Sequence, residues 1–95
     1  MVEVVSADVF TPHIGKAVLL PDGQRLTLVA ADRRGSDVAG AGRAAFTLLL
    51  RGAPTPIVAE GMHRLSLEDG SSFDLYLIPI HTPSRDRQDY QIVFN

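Results

Sequence analysis

The stretch MHRLSLEDGSSFDLYLIPI, residues 62–80, decides the fold. Two runs with alternating side chains flank Asp69-Gly70, a dipeptide that accepts the positive φ of a tight turn, and alternation on both sides of such a turn marks a β-hairpin. Leu65 and Leu67 share one face of the first run, and Phe73, Leu75 and Leu77 share one face of the second. The second run also raises a question. DLYLIPI (74–80) is apolar at nearly every position, so its other face must be accounted for as well.

The same logic repeats along the chain. KAVLL (16–20) runs into Pro21-Asp22-Gly23 and out into QRLTLVAADRR (24–34), a second Asp-Gly hairpin. RAAFTLLLR (43–51) and DYQIVF (89–94) read as further strands. Their inner faces are Leu26, Leu28 and Ala30; Phe46, Leu48 and Leu50; and Tyr90, Ile92 and Phe94. A loop of small and polar residues (35–42), a proline-containing link (52–56) and HTPSRDRQ (81–88) separate them. Ser6 before ADVF fits the cap of a single helical turn. About six strands joined without crossover helices predict an all-β fold, a small antiparallel β-barrel or a two-sheet sandwich, with at most one short helical turn, in a single domain spanning 1–95.

Composition limits the function classes. The 95 residues are 45% hydrophobic and 21% charged, the balance of a globular domain rather than a disordered chain. A chain of this length buries roughly 60 to 65% of its extended surface, enough for a modest core and little more. There is no cysteine, so disulfides and thiolate metal sites are excluded. The formal charge is −2, and arginines 25, 33, 34, 43, 51, 64, 85 and 87 are interspersed with acids, so no nucleic-acid partner is expected. The N-terminal MVEVVSADVF has neither the basic leader nor the long apolar stretch of a classical signal peptide, and no run reaches the roughly 18 apolar residues of a membrane span. The expectation is a cytoplasmic protein, or a part of a larger protein assembly, with no membrane partner.

No motif carries catalysis. Gly40-Ala41-Gly42-Arg43-Ala44-Ala45 matches G-x-G-x-x-A, and Glu60 follows about twenty residues on. The dinucleotide fingerprint, however, needs a strand leading directly into the first glycine and a helix opening after it. Here RRGSDVA intervenes before Gly40, and the segment before Gly52 and Pro54 is too short for a crossover helix. His13, His63 and His81 lack metal-ligand spacing. There is no G-x-S-x-G elbow; Ser71 and Ser72 read as turn residues, and Asp22 and the Glu68-Asp69 pair as hairpin chemistry. No catalytic, cofactor-binding or metal-binding residue is assigned, no cofactor is expected, and the chain is read as not an enzyme.

The outer faces are the unusual feature. Val29, Ala31, Leu49, Tyr76, Ile78, Ile80 and Val93 fall on the side that an ordinary barrel leaves wet. Either loop 35–42 and the N-terminal segment cover them, or they form a contiguous patch of the kind that marks association. Val29, Leu49, Tyr76, Ile78 and Val93 are the candidate interface residues.

Phe10-Thr-Pro-His-Ile-Gly15, Phe46-Thr-Leu-Leu-Leu-Arg-Gly52, Glu60-Gly61-Met-His-Arg-Leu65, Asp74-Leu-Tyr-Leu-Ile-Pro-Ile80 and Tyr90-Gln-Ile-Val-Phe-Asn95 together resemble a group of small uncharacterised bacterial all-β proteins. That group is patterned F-x-P-x-x-G early and Y-x-x-V-F-N at the end, and is often encoded beside phage tail-collar or tail-fibre-like proteins. At the group's middle motif, L-P-Q-G-x-Y-x-L, this chain has Ala59-Glu60-Gly61 and His63 instead. The resemblance implies a non-enzymatic structural, adaptor or assembly protein, as a homo-oligomer or with a protein partner, and brings no catalytic residue. The alternative is a small-molecule or carbohydrate-binding β-module, with loops 35–42 and 81–88 forming the cleft.

Overall fold

The structure, a computed structural model, describes residues 7–34 and 45–94. A helical turn, α1 (Ala7–Phe10), continues as a 3-10 turn over Thr11–His13. Six strands follow: β1 (Ala17–Leu19), β2 (Arg25–Arg34), β3 (Ala45–Gly52), β4 (Gly61–Ser66), β5 (Ser72–Pro79) and β6 (Gln88–Phe94). They close into a barrel in the order β1-β2-β3-β6-β5-β4, every neighbouring pair antiparallel. The choice between barrel and sandwich, open in the sequence, is thereby settled. Ser6, expected to cap α1, lies outside the described residues, as do the N-terminal segment before it and loop 35–42.

The two Asp-Gly hairpins share one geometry. Leu20 N–H donates to Gln24 O (2.9 Å) and Gly23 N–H to Leu20 O (3.0 Å); Leu67 N–H donates to Ser71 O (2.8 Å) and Gly70 N–H to Leu67 O (3.0 Å). Each is a three-residue loop whose last position needs a left-handed backbone, and glycine fills it with φ of 92° at Gly23 and 93° at Gly70. The preceding aspartate accepts from the backbone N–H two residues on, Gln24 in one loop and Ser71 in the other, each at 2.9 Å. Those bonds hold both carboxyls below the ordinary aspartate value: Gln24 is the main cause at Asp22, and Ser71, through its hydroxyl and its N–H, at Asp69.

Inside the barrel lie Leu26, Leu28, Phe46, Leu48, Leu50, Leu65, Leu67, Leu77, Tyr90 and Ile92, all buried, with Phe73, Leu75 and Phe94 packed against them. These are the predicted inner faces, with one correction. A β-bulge between Leu28 and Ala30 adds a residue to β2, so Ala30 sits opposite outward Leu49 while Ala31, expected outside, sits opposite inward Leu48 and packs on the core.

Both ends of the barrel are closed by residues outside the strands' alternation. At the end where β3 begins and β6 finishes, Phe10 enters from α1. Its ring centroid lies 6.1 Å from Phe46, 5.5 Å from Phe73 and 5.7 Å from Phe94, and Phe46 stacks on Phe94 at 4.2 Å. Toward the other end, the hydroxyl of buried Tyr90 accepts from Val58 N–H (2.9 Å), pinning the 53–60 loop and its buried Val58. Gly52 is there because of space: a Cβ at this position would stand 2.5 Å from Leu26 Cδ2. A void among the described residues of the interior is water-sized and lined by apolar side chains.

The wall is not uniform. β3 and β6 pair without interruption from Phe46↔Phe94 to Gly52↔Gln88, whereas β1 meets β4 at the single pair Leu19↔Ser66.

Candidate interaction surface

Register places the outward side chains of β2, β3, β6 and β5 in rows. The first row is Thr27–Arg51–Asp89, the second Ala30–Leu49–Gln91–Ile78, and the third Asp32–Thr47–Val93. Rows stand about 6.7 Å apart, since same-face residues are two apart along a strand. The structure therefore brings Leu49, Ile78 and Val93 onto adjacent strands of one side of the barrel, with Val29 beside them in the bulge of β2; all four are half-buried. Tyr76, next outward after Ile78 on β5, is 47% exposed and lies opposite Met62 of β4, which is 64% exposed.

Met62 is absent from the predicted set. The signal for it was present: counting back from Asp69-Gly70 in the hairpin register puts it across from Tyr76. Among the described residues Ile14, Leu19 and Ile57 are the other large exposed apolar side chains, and none belongs to these three rows.

Charge brackets the apolar middle. In the first row Asp89 is buried, and its carboxylate accepts from Arg51 Nε (3.0 Å) and Arg87 Nε (3.2 Å). Around it, Asp89 N–H donates to Thr82 Oγ1 (2.9 Å), and the Gln88 amide bridges Ile80 O (2.8 Å) and Asp89 O (2.9 Å). Two guanidiniums on one carboxylate leave this end with a positive excess. At the opposite end stand exposed Asp32, followed in β2 by Arg33 and Arg34, and the Asp74–Arg64 pair at 3.3 Å. The Tyr76 hydroxyl donates to Glu60 (2.8 Å), and that bond raises the phenol above its ordinary value. The Arg51–Asp89–Arg87 group was not singled out from sequence, because Arg51 and Asp89 lie 38 residues apart and only the β3–β6 pairing joins them.

The histidines are placed separately. His13 is buried in the 3-10 turn with Nε2 3.5 Å from Asp69 Oδ2, while its Nδ1 has no hydrogen-bond partner. This contact joins the N-terminal turn to the β4–β5 loop. It does not make a nucleophile, since Ser71 donates its hydroxyl to Asp69 rather than to the imidazole that would have to take its proton. His63 Nε2 meets Ala59 O (2.7 Å), and His81 is exposed. Among the described residues no group of three or more His, Cys, Asp or Glu side chains is arranged to hold a metal ion. The Gly40–Ala44 part of the glycine-rich motif lies outside the described residues. No helix among the described residues is long and apolar enough to cross a membrane.

Neither the curated proteins nor the solved structures contain a match to this chain. One family model, described as a domain of unknown function (DUF6916), matches residues 5–94, and the chain belongs to that family.

Proposed function

We propose that the protein is a non-enzymatic structural, adaptor or assembly module that docks through the outer face of β3, β6 and β5. The observation that carries this reading is the gathering of Leu49, Ile78, Val93 and Tyr76 on one outer side of a barrel whose inside is already filled. An apolar wall is costly in water at about 25 cal/mol per Å², and association removes that cost. Burying Tyr76 and Met62 offers the gain first, as they are the most exposed. The F-x-P-x-x-G and Y-x-x-V-F-N patterning supports a phage-tail-like or tail-fibre-like assembly as the setting.

The test is Ile78→Asp, read by light scattering beside a thermal melt. Ile78 points away from the core, opposite Gln91, so the variant is expected to melt close to wild type and to lose oligomeric mass or partner binding. Unchanged mass and binding would refute the docking face. Unfolding with no folded monomer would assign residue 78 to the core.

A further inference from the structure

Arginines gather at the end of the wall where β2 starts and β3 finishes. Buried Asp89 accepts from Nε of both Arg51 and Arg87, which fixes two guanidiniums side by side and leaves their Nη nitrogens without a partner among the described residues. The Thr27 hydroxyl, opposite Arg51 in the register, is exposed and likewise has no partner there. Arg25 is a third exposed cation, two residues before Thr27 and so on the same outward face. From β3 the chain continues as Gly52-Ala53, which puts no bulk between Arg25 and Arg87. We infer that these groups form a binding site for a tetrahedral oxyanion of the phosphate class, free or as the terminal group of a phosphate monoester.

Sign, shape and order all favour that class. Three arginines against the one aspartate leave two positive charges, the match for a phosphate dianion. The surrounding charges do not cancel them: Arg85 and Asp86 of the 81–88 loop, both exposed, offset each other, and Lys16 before β1 adds to the sign. Other acids at this end are engaged elsewhere, Asp22 with Gln24 and Glu60 with the Tyr76 hydroxyl. Asp32 lies four residues away as counted along β3 from Arg51, about 13 Å, which is beyond the screening length. A planar carboxylate is satisfied by one guanidinium fork, whereas donors approaching from β2, β3 and β6 suit an anion with oxygens in several directions. Asp89 holds Arg51 and Arg87 in place beforehand, so less side-chain freedom is lost on binding. The site does not depend on the docking face, whose apolar side chains it does not use.

The experiment titrates inorganic phosphate, glycerol 3-phosphate and acetate separately into the full chain in about 0.05 M salt, following backbone and arginine Nε–H resonances by NMR. Both phosphates are expected to give saturable shifts confined to the surroundings of Arg25, Thr27, Arg51 and Arg87, with a Kd below about 10 mM, and acetate to bind at least about tenfold more weakly. A tighter monoester assigns the esterified source and a tighter inorganic ion the free one; either result supports the site. Arg25→Gln and Arg51→Gln should each weaken phosphate about tenfold, while Arg64→Gln on β4, the control, should not. Arg51→Lys, which keeps the charge and loses the fork, should also weaken it. If Arg51→Gln does not fold, Arg25→Gln decides, since that side chain has no partner to lose among the described residues. Shifts that fail to saturate, that spread over all the surface arginines, or that survive Arg25→Gln unchanged would mean an adventitious ion only and overturn the inference. Ile78→Asp should leave phosphate binding intact; a folded Ile78→Asp variant that loses it would place the anion on the docking face and overturn the site.

Discussion

Removing the ring of Phe10 tests whether the N-terminal turn is part of the core or merely lies on it. Phe10 is 2% exposed and touches Phe46, Phe73 and Phe94 with centroids 5.5 to 6.1 Å away. Burying a side chain of this size contributes about 1.5 to 3 kcal/mol. Each tilted ring pair adds about 0.5 to 1.5 kcal/mol. The residue substituted is at the end of the barrel, where neighbours can partly collapse, so the usual 3 to 5 kcal/mol for Phe→Ala applies and about 4 kcal/mol is expected. For a domain whose whole stability is about 5 to 15 kcal/mol, that is a large fraction. It corresponds to a melting temperature lowered by about 15 to 30 °C. Urea denaturation of Phe10→Ala beside Phe10→Leu, which keeps part of the volume but none of the ring pairs and should cost less than the alanine variant, gives the measurement. A loss below about 1 kcal/mol for the alanine variant, with unchanged slope, would show that α1 does not plug the barrel.

Gly52→Ala should destabilise by about 1 to 3 kcal/mol through overpacking against Leu26 Cδ2. Leu26→Val in the same chain should recover part of that loss, and strict additivity in the double-mutant cycle would refute the steric account. Glu60→Gln should lower the ionisation midpoint of Tyr76 in an ultraviolet titration, because the carboxylate that accepts its proton's hydrogen bond is gone. In the wild type this raised phenol favours the folded state fully below the ordinary tyrosine value, and the contribution is lost as pH rises through the folded midpoint. Asp69 behaves in the opposite sense: its lowered carboxyl contributes above the ordinary aspartate value and loses the contribution as pH falls through its folded midpoint, so Asp69→Asn should flatten the acid limb of a stability-versus-pH curve.

The strands, both hairpins and most inner faces were legible because period-two alternation and Asp-Gly turns are local signals. Ala30 and Ala31 were exchanged because a bulge leaves no mark in a run as uniform as LVAAD. Phe10 and Val58 were missed as core because neither sits in a strand; the links of Tyr90 to Val58 and of Phe10 to three distant rings exist only once the barrel closes. The candidate face was legible residue by residue, through the outward apolar positions of β3, β5 and β6. Its layout was not, since which strands adjoin, β3 with β6 and β6 with β5, is a property of topology rather than of any segment.

The single Leu19↔Ser66 pair between β1 and β4 makes the barrel a cylinder with a seam. Amide hydrogen exchange should follow that geometry: the N–H groups of β1 and of the β4 edge should exchange through a low-energy local opening, while those of β3 and β6 wait for unfolding of the whole domain. An opened seam presents the free edge of β4 without disturbing the paired Phe46–Phe94 end. That edge is a template for strand exchange between molecules. The place where this chain is exposed to swapping or aggregation under mild stress is therefore the seam, on a different part of the wall from the apolar rows.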